Sequence, residues 1–167
     1  MRAFVFAAMG LLFSAAAGAQ TPTVETQNEQ VVRRFFEAIN RHDAKAAAAE
    51  FAEDAKNFGR PIGRKGMEDV LADIFNTFPD WHMEIENIVA SGDQVAVRCR
   101  VTGTHQGIGK MPLNGMPVGA APTRKHFEVG HTHWDTLRGG QIVEHYANRD
   151  DLGMLRQLGL LSAVAAQ

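Results

Sequence analysis

The sequence predicts an α+β fold in which helices come first and a strongly curved, mainly antiparallel sheet follows. Two observations predict it: apolar residues recur at helical spacing up to Pro79, and beyond it they alternate with polar ones. The strands follow one another with short turns, which favours antiparallel pairing of neighbours. N-terminal helices packed on one face of such a sheet would enclose a pocket for a small molecule.

Three segments before Pro79 have helical periodicity. In the first, Thr26 and Glu29 have the spacing of a capping box, in which each side chain bonds the backbone N–H of the other residue. Asp43 is placed to cap the second, an alanine-rich run. The third repeats its apolar residues at i, i+3, i+4 and i+7. The predicted helices are 24–40, 44–50 and 67–78.

Four strands are predicted after Pro79. Ser91-Gly92-Asp93 makes the first turn, and Arg138-Gly139-Gly140 makes the last. Residues 106–122 carry glycines and prolines together with apolar side chains, which is typical of a loop that closes over a pocket. The predicted strands are 81–89, 95–102, 124–137 and 141–150, and a short helix is expected over 152–161.

The first nineteen residues have the features of a secretory signal peptide. Arg2 precedes a small and apolar stretch, and Ala17-Gly18-Ala19 fits the A-x-A cleavage pattern. We expect cleavage after Ala19 and a single domain over residues 20–167, periplasmic or secreted and not bound to a membrane. An uncleaved anchor is the alternative.

Composition excludes several classes of protein. The chain has 167 residues with 17 basic and 19 acidic side chains, and it has no basic stripe to attract nucleic acid. Its one cysteine, Cys99, forms no internal disulfide and is predicted to be buried within a strand. A G-x-S-x-G elbow, a G-x-G-x-x-G fingerprint and a P-loop are all missing, so serine hydrolysis and nucleotide cofactors are not supported.

The last predicted strand carries the polar side chains most suited to a site. If no bulge intervenes, Glu144, Tyr146, Asn148 and Asp150 share one face. Such a face is costly to bury as inert core, because each unpaired polar group costs roughly 1 to 3 kcal/mol. We therefore predict that these four residues line the pocket.

Three segments together resemble one known family. The string Gly140-Gln141-Ile142-Val143-Glu144-His145-Tyr146, followed by Asp150, Gly153 and Gln157-Leu158-Gly159, closely resembles the C-terminal signature of the SnoaL-like polyketide cyclases, in the NTF2-like superfamily. Thr77-Phe78-Pro79-Asp80 with Ser91-Gly92-Asp93 resembles the family's FPD and GD turns, and Gly103-Thr104-His105-Gln106-Gly107 resembles its GTHxG segment. The resemblance implies a cone-shaped α+β domain, a homodimer, and activity without metal or organic cofactor.

The same resemblance implies chemistry on a small hydrophobic carbonyl compound, either intramolecular aldol ring closure or isomerisation. The family's catalytic aspartate, a general acid and base, corresponds to Asp150, and Tyr146 stands where the family has tryptophan. A purely structural role for Asp150 as a helix cap stays open, as does the choice between Asp150 and Asp151. The alternative function is a periplasmic binding or interaction module that uses the same pocket without turnover.

Further candidates rank behind Asp150. His105 ends an apolar strand face, where it is either a second catalytic residue or a histidine satisfied at a strand end. Tyr146 is a possible donor to an enolate oxygen. Aromatic residues are core by default, and among them Trp81 and Phe35 are the predicted ligand contacts.

His131-Thr132-His133 offers a competing interpretation. Two histidines on one strand face can bind one metal ion, and Asp135 shares their parity. The cupin pattern also requires a later glutamate, where this chain has Leu137, and helices before strands do not suit an all-β barrel. We therefore predict no metal.

Overall fold

The computed structural model describes residues 21–111 and 116–161. The predicted signal peptide, residues 112–115 of the predicted loop and the last six residues lie outside this range. Within it, no helix has both the length and the apolar character needed to cross a membrane. The helices are α1 (Val24–Asn40), α2 (Ala44–Ala49), α3 (Gly63–Thr77) and α4 (Asp151–Leu158), and the strands are β1 (Phe51–Asn57), β2 (Arg60–Pro61), β3 (His82–Ser91), β4 (Gln94–Thr104), β5 (His126–Arg138) and β6 (Gln141–Arg149).

The six described strands form one open, curved sheet in the order β2-β1-β6-β5-β4-β3. Strands β3 to β6 pair as consecutive antiparallel neighbours, as predicted, whereas β1 runs parallel to β6. Strands β1 and β2 are not predicted by the apolar pattern of the sequence. The residues of β1 do not alternate regularly between apolar and polar, because the pairing of β1 with β6 shifts register between Phe51 and Lys56. Strand β2 has only two residues, too few to show a pattern.

The helix ends follow elementary capping chemistry. Asp43 caps α2 as predicted, accepting from the backbone N–H of Ala46. The cap of α1 is Thr23, whose hydroxyl accepts from the N–H of Thr26, so the capping box predicted at Thr26 is wrong. Helix α3 begins four residues earlier than predicted, and it has no side-chain cap.

The core lies between the apolar side of α1 and the concave face of the sheet. Its largest fully buried side chains include Phe36, Phe51, Phe78 and Phe127. Cys99 is buried among them on β4, as predicted, and burial raises the pKa of its thiol to about 12. The thiol is therefore protonated and unreactive at neutral pH.

A β-bulge in β6 decides which side chains face the cavity. The tight turn at Gly139 and Gly140, both at positive φ, pairs β5 with β6 as predicted. Leu137 then lies opposite Ile142 but Thr136 lies opposite Glu144, so Val143 is an extra residue without a partner. Beyond this bulge the alternation of β6 is reversed, and its odd-numbered side chains face inward.

Candidate functional site

A cavity of about 430 Å³ opens between α1, α3 and the concave face of the sheet. Most of its wall is apolar, as is usual for small-molecule sites. The apolar lining consists of Phe35, Ile39, Phe58, Pro61, Ile62, Met67, Val70, Leu71, Ile74, Trp81, Met83, Met111, Met116 and Ala147. The polar lining consists of Asn57, Arg60, His131, His133, His145 and Arg149.

Four polar side chains lie close together on the concave face of β5 and β6. His131, His133 and Asp135 alternate along the inward face of β5, as their shared parity predicted. His145 on β6 lies directly opposite Asp135 in the register of the two strands. We call these four residues the histidine row.

Hydrogen bonds connect three members of the histidine row. Nδ1 of His145 is 2.7 Å from Oδ1 of Asp135, whose side chain is 0% exposed. Nε2 of His145 is 3.4 Å from Nδ1 of His133. His131 is next along β5, with its ring centroid 5.7 Å from that of His133.

Three buried atoms of the histidine row have no hydrogen-bond partner among the described residues. They are Nδ1 of His131, Nε2 of His133 and Oδ2 of Asp135. The amide oxygen of Asn57, another lining residue, is in the same state. Buried polar atoms are rarely left unpaired, and a cluster of them beside a cavity is typical of a functional site.

Burial keeps two of the histidines neutral. Desolvation lowers the pKa of His131 to about 4, with a further lowering from Arg149, against a smaller opposing effect of Asp150. Desolvation also lowers the pKa of His133 well below its ordinary value, assisted by the neighbouring His145 and His131. A neutral imidazole has one nitrogen that donates and one that accepts, so both residues can exchange protons with a ligand.

Arg149 supplies positive charge at the other end of the polar lining. Its guanidinium is 3.2 Å from the carboxylate of Asp151 and lies 5.8 Å from the centre of the Phe58 ring. Burial raises the pKa of Asp151, although the ion pair with Arg149 opposes the shift. Arg149 is thus held beside the cavity by an ion pair and an aromatic face.

The predicted lining face of β6 points the other way. Tyr146 is 45% exposed, and Asn148 is also exposed on the outer face of the sheet. Glu144 is half-buried and does not line the cavity. The prediction that these residues line the pocket is wrong, because the bulge at Val143 reverses the alternation that it assumed.

Asp150 is also outside the cavity lining. It is exposed, and its carboxylate accepts from the N–H of Gly153 at 2.8 Å as the N-cap of α4. Of the alternatives left open by the sequence, the structure shows the helix cap for Asp150. Asp151 begins α4 and reaches the site through Arg149.

His105 is buried but does not line the cavity. Its Nδ1 accepts from the N–H of Thr123 at 3.2 Å, and its ring packs against Phe78. Its buried Nε2 has no hydrogen-bond partner among the described residues, so only one of its two ring nitrogens is satisfied, and a catalytic role for His105 stays a prediction. Trp81 and Phe35 do line the cavity, as expected of ligand contacts.

Sequence reasoning missed His145, Arg149 and Asn57 as lining residues. The adjacent apolar residues Ile142 and Val143, which break strict alternation, were the available signal for a change of face. Asn57 lies on β1, a strand that was not predicted. Although His131 and His133 share a face, no group of three or more His, Cys, Asp or Glu side chains in the described ranges is arranged to hold a metal ion.

Helices packed on the concave face of an open, mostly antiparallel sheet, with a cavity between them, define the NTF2-like class of α+β proteins. The chain belongs to the SnoaL-like polyketide cyclase family, whose model matches residues 29–158. No curated protein matches the chain significantly.

Solved structures agree with this assignment. The chain is similar to IdmH from Streptomyces antibioticus, a candidate polyketide cyclase, with 31% identity over 80% of this chain and 99% of that chain and a TM-score of 0.64. It is also similar to AclR from Streptomyces galilaeus, a candidate hydroxylase, with 24% identity over 83% and 99% of the two chains and a TM-score of 0.68. A protein of ketosteroid isomerase-like fold from Catenulispora acidiphila, in complex with trimethylamine, matches with 20% identity over 83% and 98% and a TM-score of 0.64.

Proposed function

We propose that the protein is an acid–base catalyst that acts without a cofactor on a small hydrophobic carbonyl compound held in the cavity. The reaction class is proton abstraction next to a carbonyl, followed by ring closure or by return of the proton at another carbon. Membership of the SnoaL-like family supports this class of chemistry. The observation that carries the proposal is the buried pair of Asp135 and His145, in which Asp135 is hydrogen-bonded to the His145 ring and that ring lines the apolar cavity.

The pair suits this chemistry because it combines a fixed carboxylate with an imidazole, whose two ring nitrogens can accept and donate protons. The carboxylate of Asp135 orients the His145 ring and stabilises positive charge on it. The apolar wall excludes water, which strengthens each electrostatic interaction inside the cavity. The neutral ring of His131, with Nδ1 unpartnered in the described chain, is available to bind the carbonyl oxygen.

Hydrogen–deuterium exchange tests the proposal directly. Purified protein in D₂O is incubated with a panel of hydrophobic β-keto esters and 1,3-diketones, and loss of the acidic C–H signal is followed by NMR. We expect saturable acceleration for at least one compound, and a loss of about 100-fold or more in Asp135→Asn, the usual contribution of an acid–base group. Asp54→Asn is the matched control, since Asp54 forms an ion pair with Arg138 on the surface.

The alternative is a binding module that uses the same cavity without turnover. Mass spectrometry of small molecules that co-purify with the protein identifies what the cavity holds. Compounds that bind without accelerated exchange, with equal affinity for the wild type and Asp135→Asn, would favour the binding module over the enzyme.

We also propose that the protein is exported. The support is the charged start, apolar stretch and A-x-A pattern in residues 1–19. Cell fractionation followed by N-terminal sequencing tests it. Mature protein that begins at Gln20 in the periplasm or medium is the expected result, and an intact Met1 in a cytoplasmic fraction would contradict it.

The outer face of the sheet is the proposed contact between two copies of the chain. Trp134 and Tyr146 are cross-strand neighbours on this face and are 51% and 45% exposed. Aromatic residues are enriched at protein interfaces relative to the rest of the surface. This placement leaves the concave face and its cavity free in each copy.

A further inference from the structure

The hydrogen bonds of the histidine row fix where its protons lie. An ionised carboxylate only accepts, so Asp135 requires a proton on Nδ1 of His145. Nε2 of a neutral His145 then carries no proton and accepts from Nδ1 of His133. With its proton on Nδ1, His133 has a bare Nε2, which is an acceptor.

This bare nitrogen has no donor to satisfy it. Nε2 of His133 is buried and without a hydrogen-bond partner in the described ranges, while the His133 side chain is part of the cavity lining. The Phe36 ring lies edge-on to the His133 ring, with the two ring centroids 5.5 Å apart. One side of the His133 imidazole is therefore blocked by an apolar group. An unmet buried acceptor costs roughly 1 to 3 kcal/mol, which a ligand that supplies a proton would recover.

We propose that Nε2 of His133 is the base that takes the proton from the ligand, and that His145 and Asp135 are positioning residues acting through it. This inference rests on the proposed function and names the reacting atom. It differs from the prediction made from the sequence, in which Asp150 takes the proton.

The proton transfer involves only the ligand and the histidine row. The C–H bond next to the carbonyl breaks, its electron pair forms the C=C bond of an enolate, and the carbonyl π pair moves onto oxygen. A new N–H bond forms at Nε2 of His133. The Nδ1 proton of His133 then passes to Nε2 of His145, which places the positive charge beside the Asp135 carboxylate. The reverse transfer returns the proton to the product.

His131 is the other neutral histidine of the histidine row, but unlike His133 it is not connected to Asp135 through His145. Its ring lies on the far side of His133 from His145, and no hydrogen bond among the described residues connects it to Asp135. Among the described residues no hydrogen bond to a carboxylate sets its tautomer, and Asp150 acts on it only as a nearby charge. His131 and His133 can therefore be distinguished both by NMR of their ring nitrogens and by the effect of their substitution on the proton-exchange rate.

The tautomers can be measured without any ligand. Long-range ¹H–¹⁵N spectra of the ¹⁵N-labelled full chain report which nitrogen of each histidine carries the proton. We expect Nδ1–H on both His145 and His133, with Asp135→Asn changing both signals and leaving that of His131 in place. A proton on Nε2 of His133 in the resting protein would overturn the proposal, even if the protein proves to be an enzyme.

Exchange of a β-keto ester proton in D₂O gives the second measurement. In His133→Asn, the amide reaches the position of Nδ1 and preserves a donor to His145, but Nε2 is gone. We expect this variant to lose about 100-fold or more in exchange rate with KM changed less than twofold. His82→Asn, at an exposed position on β3, is the matched control.

The outcomes separate the two proposals. Exchange that survives in His133→Asn but is lost in His145→Asn would make His145 the base and refute the role of His133, while the proposed function stands. Absence of exchange in the wild type would refute the proposed function, and the tautomer spectrum still decides whether Nε2 of His133 is bare. Near-UV circular dichroism confirms that each variant is folded.

Discussion

Asp135 and His145 face each other across β5 and β6, and Nδ1 of His145 donates to Oδ1 of Asp135 over 2.7 Å. The carboxylate has no exposed surface, and its second oxygen has no partner among the described residues. Burying a charge costs several kcal/mol before its partner is counted, and an apolar pair of similar volume is often as stable. Stability alone therefore does not explain this pair.

Substitution of Asp150 separates the helix cap from a catalytic role. Asn is as good an N-cap as Asp, whereas Ala is not. We expect Asp150→Ala to lower the free energy of unfolding by about 1 kcal/mol, and Asp150→Asn to leave it almost unchanged. Urea denaturation measures both. Proton exchange on the β-keto ester panel should be within a few-fold of wild type in Asp150→Asn.

A loss of exchange in Asp150→Asn comparable to that in Asp135→Asn would contradict this assignment. It would support Asp150 as the catalytic aspartate, as the family resemblance implies. The comparison is informative because both changes replace a carboxylate by an isosteric amide, one at an exposed cap and one inside the protein.

The sequence predicts the architecture better than it predicts the site. Helix α1 and the order of β3 to β6 follow from apolar spacing that remains readable despite the register shifts at Glu86 and Val143. The shared face of His131, His133 and Asp135 follows from the same rule. The site residues of β6 do not, because one extra residue at Val143 reverses every later side chain.

Pairing between distant segments is the second reason why the cavity residues could not all be predicted from the sequence. Strand β1 pairs in parallel with β6 across most of the chain, and this contact carries Asn57 to the cavity. Its local sequence lacks clean alternation, although Gly59 marks the turn that follows it. Such a position is set by the strands around it, so single-sequence periodicity does not reveal it.

Filling the cavity should block ligand binding without unfolding the protein. Ala147 lies on β6 between His145 and Arg149, lines the cavity and is only partly buried. We expect Ala147→Phe to abolish binding of any β-keto ester found to bind the wild type, because the larger ring occupies the ligand's volume. Isothermal titration calorimetry measures the affinity.

The matched control for this change is Asn148→Phe, one residue along β6 and on the outer face. It introduces the same ring outside the cavity, so wild-type affinity is expected. Equal affinity in Ala147→Phe and wild type would place the ligand elsewhere on the protein.

The outer aromatic pair gives a prediction about assembly. If Trp134 and Tyr146 lie at a contact between two copies, a charge at Trp134 will be buried without a partner and will weaken the dimer. Size-exclusion chromatography with light scattering should show a dimer for wild type and a monomer for Trp134→Asp. Val89→Asp, at an exposed apolar position on β3, should remain dimeric. A monomeric wild type would refute this interface.

The buried histidines predict how stability changes with pH. The pKa of His131 is about 4 in the folded protein and about 6.5 when exposed, so the unfolded chain takes up this proton first as the pH falls. The stability that neutral His131 contributes is fully present above the unfolded pKa. This contribution to the free energy of unfolding decreases by about 1.4 kcal/mol per pH unit as the pH falls from 6.5 to 4. His133 acts in the same direction, because burial also lowers its pKa.

Asp151 works against this trend, since its raised pKa lets the folded protein take up a proton before the unfolded chain does. Two histidines outweigh one half-buried carboxylate, so the free energy of unfolding in urea should decrease from pH 7 to pH 5. Glutamine is neutral throughout, and His131→Gln should therefore flatten the slope by about one proton, or roughly 1.4 kcal/mol per pH unit. His82→Gln, on the exposed side of β3, should follow the wild-type curve. A slope unchanged by His131→Gln would mean that His131 titrates as a solvated side chain, and the site would then be open to water rather than desolvated.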